Sequence, residues 1–455
     1  MKFQKFLSLS AAALLAVFVF MLLSVLLPPL FLPNPHSTPA PALPQHTGER
    51  VMSIDDNRQA LLWRLRLISS ARKELLFSTF DLKDDDSGRD LMAALYDAAE
   101  RGVEVRMVLD GFHAFLDLKN SAVFQTLAAH PRVQVKIYNP VRFWEPWKFN
   151  YRMHDKMILA DGERYLLGGR NSRNVSLGNY QEKQDIDRDI LVVSPQKTGS
   201  VEQVRAYFMS LWELEDSRPE DGRFRETQAR SLTARFAQLQ QHCPDAFSPT
   251  DWEGETLPAA VSLLHNPIHV GNKAPVLWQQ IAELMEQGEN VIVQTPYVIC
   301  NRQMYEDLQR LCADRPVTLI LNAPESGANV FGTADYLSQK RKLQRTGLSL
   351  YERMGVHSSH RKTVLLDDRL SLVGSFNFDV RSVHLDTETM LFIDCPELNA
   401  QLRRQAQADM DCSRSFTADG TPVLGDDCRV PHLSAGQRLL QQLLKFVVLP
   451  LRHLL

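Results

Sequence analysis

Two short stretches of the chain carry the same residue types at the same spacing. The first is His154-x-Lys156, followed by Asp161, Gly168, Gly169 and Asn171; the second is His360-x-Lys362, followed by Asp367, Gly374, Ser375 and Asn377. Both run seventeen positions from histidine to asparagine, with five residues matched at identical offsets. Positions i and i+2 of a strand share a face, so each histidine is expected to point with its lysine. The apolar run that follows, a turn at Asp161-Gly162 or Asp367-Asp368, and a returning apolar run (Tyr165 to Leu167; Leu370 to Val373) predict a β-hairpin. The small pair after it lets backbone approach a ligand closely, and Asn171 or Asn377 offers an amide beside the ammonium group.

An imidazole, an ammonium and an amide from each stretch make a set suited to a phosphodiester. One imidazole attacks phosphorus and becomes a phosphohistidine, while the other protonates the leaving alcohol and then deprotonates the incoming one. The lysines supply the positive charge that a metal would otherwise bring, so no metal and no cofactor is called for. A metal reading of His357 and His360 lacks a carboxylate or cysteine to complete the ligand set. His113, His265 and His384 read as ordinary polar residues.

These residues need elements to position them, and the elements recur as well. Leu62-Trp63 leads into the apolar run Glu74 to Thr79, and Leu277-Trp278 leads into Asn290 to Thr295. Each run is followed by an amphipathic helix (Arg89 to Arg101; Gln303 to Ala313) and a further strand (Val103 to Leu109; Val317 to Leu321). Strand, crossover helix and strand predict an α/β chain of two pseudo-symmetric halves, residues 48–240 and 255–400, each a β-sheet flanked by helices. Matching residues then converge on a cleft at the interface between the halves.

With 455 residues, 44% of them hydrophobic and 23% charged, the chain has the composition of a protein that buries a core. Its net charge of −3 is the wrong sign for bulk attraction to nucleic acid, so no nucleic-acid partner is expected. Residues 1–32 are expected to form an uncleaved membrane anchor, because the apolar run from Phe6 to Leu32 is longer than the core of a signal peptide. Lys2 and Lys5 before that run, with no further Lys or Arg until Arg50, place the N-terminus in the cytoplasm and the body across the membrane. Five prolines within residues 33–47 suggest a stiff linker. Residues 401–455 read as a C-terminal extension, in which Leu439, Leu440, Leu443, Leu444, Val447, Val448 and Leu451 mark an amphipathic helix. That helix either lies among lipid headgroups or packs on the body. Among six cysteines, the clustered Cys395, Cys412 and Cys428 suggest a disulfide if the compartment is oxidising. Oligomeric state leaves no mark in the sequence.

The paired motifs closely resemble the HxKxxxxD signature of the phospholipase D superfamily over residues 50 to 400. The Gly-Gly-Arg-Asn ending at Asn171, and Gly374 to Asp379 with Arg381-Ser382 and Glu388, are most similar to bacterial cardiolipin synthases of the C type. Gly169, standing where the second copy has Ser375, departs from the superfamily pattern. The resemblance implies two phospholipase D-like halves and a phosphatidyltransferase that makes cardiolipin in the bacterial inner membrane, with its body in the periplasm. Its substrates would be phospholipids, phosphatidylglycerol or also phosphatidylethanolamine. It implies His154 as nucleophile, His360 as acid and base, and Asp161 and Asp367 as supports at the turns. Glu388, and Glu182 at the same offset from Asn171, would each orient a histidine, and Asn171, Ser375 and Asn377 would contact substrate. The aromatic and basic run Phe143 to Arg152 is expected to enter the headgroup region and deliver lipid. A hydrolase, either a phospholipase D or a periplasmic nuclease, uses the same residues with water as acceptor. A scaffold that binds lipid without turnover is hard to reconcile with two intact motifs.

Overall fold

The computed structural model describes residues 2–33, 38–417, 419–429 and 432–455, with side chains from residue 14 onward. Residues 34–37 of the expected proline-rich linker lie outside the described residues. Two nine-stranded sheets form the body. The first has the order Leu257–Pro258, Arg50–Ile54, Asp189–Val193, Arg164–Gly168, Lys156–Ala160, Glu74–Thr79, Glu104–Asp110, Val133–Tyr138 and Ser217–Pro219. The second runs Ala260–His265, Thr389–Asp394, Leu370–Gly374, Thr363–Leu366, Val291–Gln294, Val317–Asn322, Ser349–Arg353, Ser413–Phe416 and Pro422–Leu424.

Eight consecutive strands correspond between the sheets, from Arg50–Ile54 and Ala260–His265 onward, and every pairing has the same direction. The duplication read from the motifs is thus a duplication of topology. Each sheet is mixed, because the motif hairpin inserts antiparallel beside the parallel strands. Residues Ser413–Phe416, expected in an extension, instead pair with Ser349–Arg353 at the far edge of the second sheet. There Arg414 lies 3.1 Å from Glu325 and also pairs with the buried Glu352, which fastens the strand to the sheet.

Strand alternation sorts side chains into three apolar cores. Leu75 and Phe77 face an outer core of helices, whereas Leu76 between them faces inward; Val291 and Val293 face outward and Ile292 inward. The inner core joins both halves. Met157, Leu159, Tyr165 and Leu167 of the first sheet meet Leu365, Val373, Leu391 and Ile393 of the second, with the helices Ser200–Glu213 and Pro396–Asp411 contributing Phe208 and Leu402. Outer helices are fixed by their own caps: Asp85 accepts from Gly88 N at 3.0 Å ahead of Asp86–Glu100, and Asn301 from Met304 N at 2.9 Å ahead of Arg302–Asp314.

The six cysteines are free thiols. The expected disulfide does not form between Cys395 and Cys412, because they cap opposite ends of the helix Pro396–Asp411. Sixteen residues of helix separate them by about 24 Å, far beyond the roughly 7 Å limit between bridged Cα atoms.

Residues Lys2–Leu26 form one helix, from which Leu14, Leu15, Val17 and Phe18 project into open surroundings. Among the described residues no helix is long and apolar enough to cross a membrane.

Candidate active site

Both motif hairpins form in register, Met157 against Leu167 and Val364 against Leu372. Their turns place Asp161 and Asp367 in the left-handed region, at φ 53° and 51°. Each of these carboxylates ties its hairpin to the start of the neighbouring strand. Asp161 accepts backbone N–H groups of Arg72, Lys73 and Glu74 at 2.8–2.9 Å, and Asp367 those of Glu289 and Asn290 at 2.8 Å.

Just before each hairpin the histidine crosses to the other half. His154 N donates to Thr387 O at 3.2 Å and His360 N to Ile186 O at 2.7 Å. Their side chains follow: His154 Nδ1 lies 2.9 Å from Glu388 Oε1, and His360 Nδ1 lies 2.6 Å from Asp187 Oδ2. Each imidazole is therefore held by a carboxylate from the opposite half. Both rings line one cavity of about 290 Å³ between the halves, together with Asn171, Asn377, Phe80, Asp81, Tyr297 and Arg381.

The structure brings Glu388 to a histidine and leaves Glu182 away from both. Glu182 is exposed on the loop between the strands Arg164–Gly168 and Asp189–Val193, and the carboxylate that faces a histidine is Asp187. The offset from the asparagine misleads because this loop is five residues longer than its counterpart. Gly168 pairs with Asp189 and Gly374 with Met390, and two positions before each partner stand Asp187 and Glu388. Counting back from the returning strand finds the equivalent residue where counting forward fails. His113, read as an ordinary polar residue, lines the cavity edge-on to Phe80, with ring centroids 4.5 Å apart.

The carboxylate settings differ. Glu388 is fully buried and accepts from Ser382 Oγ at 2.6 Å and from Ser375 Oγ. Burial raises its pKa well above the usual carboxylate range. For Asp187 burial acts in the same direction, but the charges of His360 and Lys362 overcome it and hold the group below the usual range. Burial also lowers His154 well below an ordinary imidazole, helped by Lys156 and Lys362. It lowers His360 too, with Asp187 opposing. His154 thus favours the neutral ring, its Nδ1–H donated to Glu388 and its Nε2 lone pair free, whereas His360 is lowered less, because its ionised partner Asp187 opposes loss of its proton.

Lys156 and Lys362 each donate one N–H to the carbonyl of the histidine two residues earlier, at 2.6 Å in the second motif, which leaves two donors apiece for a ligand. Burial lowers them to about 7 and about 8, respectively. The side-chain oxygens of Asn171 and Asn377 are buried without a partner. Two imidazoles and two amides line one cavity, with the two ammonium groups buried beside the histidines, and together they can hold a tetrahedral anion and move protons on either side of it. Metal-ligating groups come together at Asp81, His113 and Asp117, but Arg173 lies 3.1 Å from Asp81 and Lys83 lies 3.6 Å from Asp117.

Beside the site, Phe143, Trp144 and Trp147 are exposed, 73% in the case of Trp144, and so are not part of the core.

Comparison with known proteins places this fold in a family. The chain is 27% identical to cardiolipin synthase C of Escherichia coli over 443 residues, covering 85% of this chain and 91% of that protein. It is 25% identical to the major cardiolipin synthase of Bacillus subtilis, covering 80% and 69%. The solved structure of phosphatidylserine synthase from Haemophilus influenzae shares the fold, with a TM-score of 0.64, 17% identity, and coverage of 89% of this chain and 95% of that one. The family described as "Cardiolipin synthase, PLD-like domain" matches residues 65–212 and 281–410, and the chain belongs to it.

Proposed function

We propose that the protein is a cardiolipin synthase-type phosphatidyltransferase working through a phosphohistidine. The observation that carries this reading is the crossed pair of carboxylate-held histidines, His154 with Glu388 and His360 with Asp187, facing one cavity. His154 Nε2 attacks the phosphorus of a donor phospholipid, and the bond to the headgroup oxygen breaks as that oxygen takes the proton of His360. His360, now neutral, accepts the proton of an incoming lipid alcohol, whose oxygen displaces His154 and forms the new phosphodiester. Lys156, Lys362, Asn171 and Asn377 hold the non-bridging oxygens. Similarity to cardiolipin synthases supports a lipid alcohol rather than water as acceptor. The phosphatidyl donor is phosphatidylglycerol or phosphatidylethanolamine. The apolar run from Phe6 to Leu32, with Lys2 and Lys5 before it, supports a place at the bacterial inner membrane with the body on the periplasmic side.

Lipid analysis of cells expressing wild type, His154→Ala or His360→Ala tests the reading. Loss of cardiolipin with either variant supports it, and loss of phosphatidic acid alone would turn it into a hydrolase. A phosphohistidine trapped with labelled lipid is expected on the peptide containing His154; label on His360 would exchange the two roles.

A further inference from the structure

The C-terminal helix Ala435–Val448 presents the wrong side to the body. Gln441, Leu444, Lys445 and Val448, spaced as one helical face, are the half-buried or buried positions toward the helix Val330–Gln344. The richer apolar stripe of Leu439, Leu443, Phe446 and Val447 points away, with Leu443 56% and Phe446 75% exposed. A terminal helix folded for the sake of its own core would turn this stripe inward.

A closed set of hydrogen bonds says what lies beside that stripe. Asn150 Nδ2 donates to Val25 O at 2.6 Å, at the last turn of the apolar N-terminal helix. Arg381, which lines the cavity, donates to Asn150 O at 2.6 Å and to Leu454 O at 2.9 Å. His453, next in the chain to Leu454, closes the ring on Leu26 O at 2.9 Å. The base of the apolar helix, the end of the aromatic loop, the turn after the C-terminal helix and a cavity residue are thus bolted together at one place.

We propose that this place marks the surface of the lipid bilayer, with the C-terminal helix and the Phe143–Trp147 loop lying in the headgroup layer on either side of the N-terminal helix. The inference deepens the proposed function, because it rests on a phospholipid substrate and says by which face the substrate enters. Leu14, Leu15, Val17, Phe18 and Phe20 of the N-terminal helix are uncovered, and lipid is the surrounding in which such a face is stable. Continuity with it commits the neighbouring stripe to the same occupant. Arg438, exposed on the same helix, adds a basic side chain of the kind found on helices that lie in an anionic lipid surface. Seated in this way, Arg381, which lines the cavity, stands at headgroup height, and the cavity lies within reach of a phosphodiester in the same leaflet.

Full-length protein in vesicles of phosphatidylethanolamine and phosphatidylglycerol tests this directly, using a phospholipid with a photoreactive diazirine near the top of its acyl chain. Label is expected in the peptides containing residues 439–447 and 143–147 as well as in the N-terminal helix. Label confined to the N-terminal helix would overturn the proposal. A second measurement separates docking from chemistry. Leu443→Glu with Phe446→Glu is expected to lower turnover of bilayer lipid at least about tenfold while leaving turnover of a soluble short-chain phospholipid within about twofold. Bilayer turnover as fast as wild type would refute docking by this stripe. Wild-type protein inactive on both substrates yet labelled as expected would refute the proposed function and leave the docking face standing.

Discussion

A Cβ atom placed on Gly169 would stand 2.5 Å from Asp187 Oδ1, whereas at the matching position of the second half Ser375 donates its hydroxyl to Glu388. The departure at Gly169 therefore has a steric reason: a shorter carboxylate drawn close to the backbone leaves no room for a side chain. The same Cβ would lie 3.2 Å from Lys362 Cδ. Gly169→Ala is expected to displace both groups and to lower kcat by about a hundredfold with the fold intact. Ser375→Ala removes one of several hydrogen bonds to Glu388 and is expected to cost about tenfold or less. Steady-state kinetics on the two variants decide it, and equal losses would mean that the glycine is not making room for Asp187.

The two carboxylates predict different pH behaviour. Asp187 is ionised and favours protonated His360, so Asp187→Asn lowers the pKa of His360 further. The protonated fraction is then lost at lower pH, the alkaline limb of the rate profile moves toward acid, and kcat at neutral pH falls by about a hundredfold or more. Glu388 leans toward its neutral form, which glutamine imitates, so Glu388→Gln is expected to be the milder change and to leave that limb in place. If Glu388→Gln moves the alkaline limb and Asp187→Asn does not, the acid is His154.

Most of this site was legible because a duplicated motif reports itself: residues five to seven positions apart on a hairpin keep their relation whatever the loops do. The strand beginning at Lys156 and the turn residues Asp161 and Asp367 followed from period and turn chemistry, whereas His154 stands two residues ahead of that strand and not on it. Asp187 escaped because a loop length lies between it and the motif, and only the pairing of Gly168 with Asp189 restores the count. The crossing of partners between halves was also hidden, since Glu388 and His154 are 234 residues apart. Sequence pattern describes one strand at a time, and interface contacts depend on how two sheets meet. The outward stripe of the C-terminal helix belongs to the same class, because periodicity shows that a face is apolar and not what it faces.

Lys156 and Lys362 set the pH range of anion binding. Burial lowers them to about 7 and about 8, so both ammonium groups are charged below 7 and both are lost as pH rises past 8. Sulfate keeps its two charges throughout that range, so any pH dependence of its inhibition belongs to the protein. Its inhibition constant is expected to rise about tenfold or more between pH 6 and 9, one pKa unit corresponding to about 1.4 kcal/mol. Lys362→Arg, which stays charged, is expected to flatten the rise. An inhibition constant that is flat for wild type across this range would mean that the lysines remain protonated without substrate.

Asp161 is expected to act on stability and not on chemistry. Its carboxylate satisfies the backbone N–H groups of Arg72, Lys73 and Glu74, and its own φ of 53° is one that alanine tolerates poorly. Asp161→Ala leaves those donors to solvent and strains the turn, at a cost of about 2–4 kcal/mol. Asp161→Asn keeps the backbone conformation and one accepting oxygen, so about half of that loss is expected. Urea unfolding measures both, alongside kcat for the fraction that remains folded. Because the carboxylate touches the strand starting at Glu74 and not the cavity, kcat per folded molecule should stay within about threefold of wild type. A stable Asp161→Ala protein with kcat reduced a hundredfold would instead place this carboxylate in the chemistry.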